Sequence, residues 1–165
     1  MNMTTINKEI SINKSIEAAW QVLGHEFAQA DQWASSVKHS EARDSKKFNG
    51  SSCSERGCDI PGMGSIKEKL LKYSDTEHIL SYQVHEGMPS MVKFMSNTWQ
   101  LHQTGTSSCK LTMKMEMETG GLMGVIMKPM MKMQMSGMAG KIVEDFKYYV
   151  ENGKPHPRKL KAMKK

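Results

Sequence analysis

The sequence predicts an α+β domain. A curved antiparallel sheet of about seven strands wraps one long C-terminal helix, in the order strand, two short helices, six strands, helix (β-α-α-β6-α). Three observations carry this. Between residues 37 and 119 the chain alternates in strand fashion, broken only by turn signals. Between residues 122 and 151 the apolar spacing becomes helical and stays so. Ten of the seventeen methionines lie between Met113 and Met138 and change spacing halfway. Met113, Met115 and Met117 alternate with charged residues, whereas Met123, Met127, Met130, Met131, Met133, Met135 and Met138 follow at helical intervals. One apolar surface therefore runs off a strand and onto a helix.

Each element has its own signal. Ile6, Ile10 and Ile12 share one parity, which predicts a strand over 4–12. Asn13 or Ser15 caps the next segment, where Ile16, Ala19, Trp20 and Leu23 repeat at helical spacing up to Gly24. A second helical piece is predicted over 28–34, with Trp33 as its inward anchor. Strands follow over 37–43 and 51–60, and Pro61-Gly62-Met63-Gly64 marks a turn. Strands 65–73 and 78–86 form a hairpin through Ser74-Asp75-Thr76, and Gly87-Met88-Pro89 breaks the next link. Strands 91–103 and 108–119 pair through Thr104-Gly105-Thr106 before Gly120-Gly121 ends the run. In the last helix Pro129 removes a backbone donor and predicts a kink. Asn152-Gly153 supplies a left-handed stop, which Pro155 and Pro157 reinforce.

The chain length fits one domain with a real core, over residues 1–153, followed by a basic tail over 154–165. The net charge of +6 is not spread over the fold. Lys154, Arg158, Lys159, Lys161, Lys164 and Lys165 account for all of it, leaving 17 basic and 17 acidic residues in the body. A neutral body argues against a nucleic-acid partner. The tail reads as a solvated, frayed terminus, or as a weak contact to an anionic membrane surface. Cys53, Cys58 and Cys109, an odd number without a leader-like apolar run near Met1, predict free thiols and a cytoplasmic setting. No run reaches the roughly 18 apolar residues of a membrane span. The six histidines are scattered, without the paired helical spacing of a zinc site. Met-x-Met spacing suits Cu(I), yet on a strand it is ordinary inward alternation. Neither a metal nor a cofactor is expected.

Strand parity selects a wall. Met95, Asn97, Trp99 and Leu101 share one face; Leu80, Tyr82 and Val84 share another strand's face. Cys109, Leu111, Met113, Met115 and Met117 do the same on the last strand, and Met123, Met127, Met130, Met131, Met135 and Met138 are the helix's available partners. Methionine fills irregular space without specifying one packing, so this wall suits an adaptable cavity better than a dry core. A few polar groups would orient a ligand there, and Arg56, Glu68, Tyr82, Asn97 and Trp99 are the candidates. Arg56 and Glu68 have an equally good alternative as a cross-strand ion pair. Glu68 as a general acid or base would need a shifted pKa and a reactive partner.

With Trp20-Gln-Val-Leu23 in the first helix, the order of elements resembles the START/Bet v 1-like helix-grip superfamily. It is most similar to that superfamily's polyketide cyclase/dehydrase and lipid-transport branch, the SRPBCC proteins. Further matching segments are 50–56, Ile66-Lys-Glu68-Lys-Leu70, Tyr73-Ser-Asp75, His78-Ile-Leu-Ser-Tyr82 and the helix from Pro129 to Gly153, so the likeness spans residues 5–153. The resemblance implies the helix-grip fold and a pocket between sheet and C-terminal helix for a small hydrophobic or amphipathic ligand, lipid- or polyketide-like. It implies residues of the same type at Arg56 and Glu68, but no fixed reaction and no catalytic set. An alternative is a cyclase or dehydratase in which Tyr82, Glu68 or Arg56 polarises a carbonyl. Another is an interaction protein that docks a partner or membrane through its methionine-rich helix. Access would be gated near Pro129 or at the turns over 61–64 and 87–89.

Overall fold

The computed structural model describes residues 2–165, with side chains from Met3 onward. The first strand, β1 (Asn2–Ile12), leads into α1 (Ile16–Trp20), a π-helical turn (Gln21–His25) and a 3₁₀ segment (Phe27–Gln32). Six strands follow: β2 (His39–Ala42), β3 (Glu55–Ile60), β4 (Gly64–Ser74), β5 (Ile79–Glu86), β6 (Val92–Gly105) and β7 (Ser108–Thr119). The chain ends in α2 (Gly121–Asn152) and α3 (Pro157–Met163). The seven strands form one sheet in the order β1-β7-β6-β5-β4-β3-β2, antiparallel at every pairing.

The sheet behaves as its parity dictates. On β7, Cys109, Leu111, Met113, Met115 and Met117 are buried, and they alternate with Lys110, Thr112, Lys114, Glu116 and Glu118. Helical pieces carrying Trp20, Trp33 and Phe146 then close over that face. Phe146 of α2 is fully buried, with its ring 5.3 Å from Trp33 and 6.2 Å from Trp99 in edge-on geometry. This three-ring contact ties the helix, the 3₁₀ segment and the middle of the sheet together. Trp20 Nε1 donates to Asp75 Oδ1 at 2.8 Å, anchoring α1 to the turn between β4 and β5.

Several boundaries differ from the expected ones. The strand predicted over 51–60 shortens to Glu55–Ile60. The segment before it is held as a loop: Asp44 accepts hydrogen bonds from Ser54 N at 2.9 Å and Ser54 Oγ at 2.5 Å, and Asn49 and Gly50 adopt positive φ. The helix predicted over 28–34 is the 3₁₀ segment Phe27–Gln32. In α2 the helix continues through Pro129 and stops as expected, with Gly153 left-handed (φ 67°) and its N–H donating to Tyr149 O.

The tail is the main correction. Residues 154–165 were expected to fray, but they turn back as α3 and dock. Pro157 sits at the helix start, where its fixed φ is favourable, and His156 Nδ1 accepts from Arg158 N at 3.1 Å. Lys159 is only 2% exposed, and its Nζ donates to Val37 O at 2.6 Å. Arg158 donates through Nε to Asp145 Oδ1 at 2.7 Å and through Nη2 to Glu144 Oε2 at 2.8 Å. The other Asp145 oxygen accepts from Ser35 N and Ser35 Oγ at 2.9 and 2.5 Å. Two of the tail's six cations are therefore structural; Lys154, Lys161, Lys164 and Lys165 remain exposed.

Candidate functional site

A cavity of about 80 Å³ lies between the sheet, the helical segments after β1, and α2. It is small, on the scale of a ring or a short chain.

Nine of the residues expected at a ligand site line it: Arg56, Glu68, Tyr82, Met95, Asn97, Trp99, Met113, Met115 and, from α2, Met138. The other seven do not. Leu111 and Met117 are buried in the core on β7, one ladder step beyond either end of the hollow. Met135 is buried, and Met131 is partly buried against the core, both under the helix but away from the cavity. Met127 is half-buried, while Met123 and Met130 are 55% and 41% exposed. The reason is geometric. Apart from Gly124, packed on Thr119 at the end of β7, the buried positions on α2 run from Met135 to Phe146, whereas Met123, Val125, Ile126, Met130 and Met133 before them are exposed. Chemistry at those methionines is the same, but the wall they were expected to face is not there.

A third wall was not anticipated. Val22, Leu23, Phe27, Ala30, Trp33 and Val37 all reach the cavity from the segment between β1 and β2. The available signal was that segment's own apolar spacing, which needs something to pack on. Met63, in the turn between β3 and β4, and Met88, after β5, also line the hollow while remaining partly exposed, so it approaches solvent on that side.

The polar wall is built by register. Arg56 on β3 pairs directly with Glu68 on β4, and Tyr82 on β5 pairs directly with Asn97 on β6. Arg56 Nε donates to Glu68 Oε2 at 2.7 Å, its Nη2 reaches the same oxygen, and its Nη1 donates to Phe27 O at 2.6 Å. The guanidinium lies 4.1 Å from the Phe27 ring centre and 5.1 Å from that of Tyr82, a cation–π contact with each of two rings that themselves pack 5.8 Å apart. Both members of the pair are buried, so the wall carries two charges and no net charge. Burial opposes the Arg56 charge, but Glu68 beside it, together with Cys58 and Tyr82, keeps its pKa above the ordinary arginine value. Cys58 donates to Glu68 Oε2 at 3.4 Å. Burial pushes the Cys58 thiol up to about 12, with Arg56 opposing and Glu68 adding to the rise. Tyr82 is likewise raised, first by burial and then by Glu68. Cys58 and Tyr82 present neither a thiolate nor a phenolate at neutral pH, and Glu68 is engaged by the arginine fork.

Two polar atoms on the same wall stand apart. Asn97 Oδ1 and Trp99 Nε1 are buried and have no hydrogen-bond partner among the described residues. The Trp99 N–H lies close enough to the Tyr82 hydroxyl to work against the rise in its pKa, but outside hydrogen-bond geometry.

Solved structures share this architecture. The Zhui aromatase/cyclase from Streptomyces sp. R1128 superposes with a TM-score of 0.75 at 11% identity, covering 91% of this chain and 94% of its own. Truncated norcoclaurine synthase from Thalictrum flavum gives 0.73 at 17% identity, covering 92% and 95%. A START superfamily protein from Mycobacterium smegmatis gives 0.64 at 15%, covering 90% and 95%. At these identities the likeness is one of fold, the helix-grip arrangement expected from the sequence. Among curated proteins, none matches the chain's sequence. The family model described as polyketide cyclase / dehydrase and lipid transport matches residues 3–151, nearly the whole sheet and α2, and the chain belongs to that family.

Proposed function

We propose that the protein binds a small hydrophobic or amphipathic ligand in the cavity between its sheet, the helical segments after β1 and α2. The observation that carries this is the wall itself: methionine and aromatic side chains around a hollow whose two buried charges, Arg56 and Glu68, are paired with each other, with Glu26 half-buried and held by Gln21. Such a site has apolar affinity and a little polar direction, which is what a binding pocket needs. A cyclase or dehydratase would instead require a group able to exchange a proton near neutral pH, and Cys58 and Tyr82 are both pushed away from that range. The cavity volume favours a single-ring or short-chain molecule over a long acyl chain, which would need the walls to part. Native mass spectrometry of gently purified protein is expected to show a bound non-protein mass that organic solvent removes. A protein that carries no adduct and takes up none from a panel of small apolar compounds would end this reading.

One further observation favours a second role alongside the first. Leu122, Met123, Val125, Ile126, Met130 and Met133 are exposed on the first half of α2, with Leu122 at 77% and Met133 at 70%. At 100° per residue, Leu122, Ile126 and Met133 project opposite to Met135, Ala139 and Phe146, so this stretch is apolar on both sides. Between residues 121 and 143 the chain has Lys128, Lys132 and Lys141 and no acid. Apolar surface flanked by cations fits an anionic lipid surface. Flotation with anionic vesicles is expected to recover the protein, and Leu122→Asp with Ile126→Asp to lower partitioning about tenfold or more. Equal flotation of wild type and double variant would remove the membrane role.

A further inference from the structure

We propose that Asn97 and Trp99 form a subsite that reads a hydroxyl group on a neutral, single-ring ligand; this rests on the cavity being a ligand site. Both residues are at least nine-tenths buried, both line the cavity, and each brings one polar atom there without a protein partner. Leaving a donor and an acceptor dry is unfavourable in a well-packed wall, and native structures seldom do so without a reason. The pair has one here if an occupant completes it.

Placement narrows the chemistry. Asn97 and Trp99 are two positions apart on β6, so their side chains leave the same face with Cα atoms about 7 Å apart. The subsite requires one ligand oxygen within about 3 Å of each of the two polar atoms. Trp99 Nε1 can only donate, so the group it meets must accept. Asn97 Oδ1 can only accept, so the group it meets must donate. A hydroxyl does both, and it serves equally well if the Asn97 amide is turned end for end. Tyr82, opposite Asn97 in the ladder and kept protonated by burial, stands beside the same point.

The remainder of the wall selects what carries that hydroxyl. Arg56 is already matched by Glu68, so an anionic ligand would enter without a counter-charge, and a cationic one would meet only Glu26, which is half-buried and held by Gln21. Met95, Met113 and Met115 present thioethers beside the rings of Phe27, Tyr82 and Trp99, an environment that favours an aromatic ring through sulfur and edge contacts. The volume admits one such ring.

The test uses the full chain and two probes of the same shape, p-cresol and p-xylene, which differ only in hydroxyl against methyl. In calorimetric titration p-cresol is expected to bind about tenfold more tightly or better. Asn97→Leu and Trp99→Phe should each bring the two affinities within about threefold while p-xylene binding stays nearly constant. Equal affinities in the wild type would overturn the hydroxyl subsite and leave the cavity reading intact. A cresol preference that survives both substitutions would overturn the assignment to these residues. Failure of both probes to bind would overturn the subsite and count against the cavity reading as well. Circular dichroism checks that each variant folds; should one not fold, the wild-type ratio and the other variant still decide.

Discussion

Replacing Glu68 by alanine is expected to lower the free energy of unfolding by about 3–5 kcal/mol. The substitution removes the carboxylate that Arg56 meets and leaves a guanidinium beside the Phe27 and Tyr82 rings with one carbonyl acceptor, Phe27 O. Arginine cannot escape by losing its proton, because its pKa lies far above neutrality and here is raised further. Both side chains are buried, so any relief must come from water within the cavity rather than from bulk solvent. Glu68→Gln keeps one acceptor oxygen and should cost less. Replacing both partners, as Arg56→Met with Glu68→Leu, should recover most of the loss, because a buried pair is far easier to replace than to break. Urea unfolding of the four proteins measures this, provided the slope is unchanged so that midpoints report stability. A single variant within about 1 kcal/mol of wild type would mean that Arg56 reaches solvent and that the wall is not electrically closed. The double variant also carries functional information: its cavity should still take an apolar probe, since the pair contributes neutrality rather than affinity.

Parity and turn chemistry made much of this fold legible. The inward row of β7 follows from alternation alone, because a strand's side chains have a period of two and a one-residue slip would bury Lys114 and expose Met115. The turn at Gly62, φ 82°, and Gly64, φ 94°, sets the β3–β4 register, and that register is what brings Arg56 opposite Glu68. The cross-strand pair weighed from sequence is therefore present, at the cavity wall rather than on a solvated face. Parity cannot say how far a covering helix extends. Met123 and Met138 have the same chemistry and both fit a helical stripe, yet one is exposed and the other lines the hollow. The choice between them is made by contacts remote in sequence, notably Phe146 between Trp33 and Trp99. The wall from Val22 to Val37 was missed for a related reason: a short amphipathic segment announces that it packs, but not on which side of a sheet. Asn97 and Trp99 were legible as inward polar residues, whereas their lack of partners depends on geometry that no spacing encodes.

Deleting residues 154–165 is expected to cost about 3 kcal/mol, where a frayed tail would cost nothing. The deletion takes away the Lys159 Nζ bond to Val37 O and the Arg158 bonds to Asp145 and Glu144. Asp145, fully buried on α2, keeps its two Ser35 donors but loses its cation. Burying a carboxylate without a counter-charge is the larger part of the loss. The melting temperature should fall by about 6–12 °C, on the scale of 2–4 °C per kcal/mol for a chain this size. Two point variants separate the contributions. Arg158→Ala should reproduce more than half of the loss, and adding Asp145→Asn to it should return part of the stability by removing the stranded charge. Lys159→Met keeps the buried stem and gives up only the bond to Val37 O, so its cost should be about 1 kcal/mol. The deletion should also loosen the cavity, because Ser35 and Val37 flank Ser36, which with Val37 lines the hollow, and α3 holds that stretch against α2. Weaker p-cresol binding in the truncated chain, alongside an unchanged preference over p-xylene, would show that α3 supports the pocket without touching its ligand. A truncated chain as stable as the whole would mean that the docked helix contributes nothing, and the buried Asp145 would then need another partner.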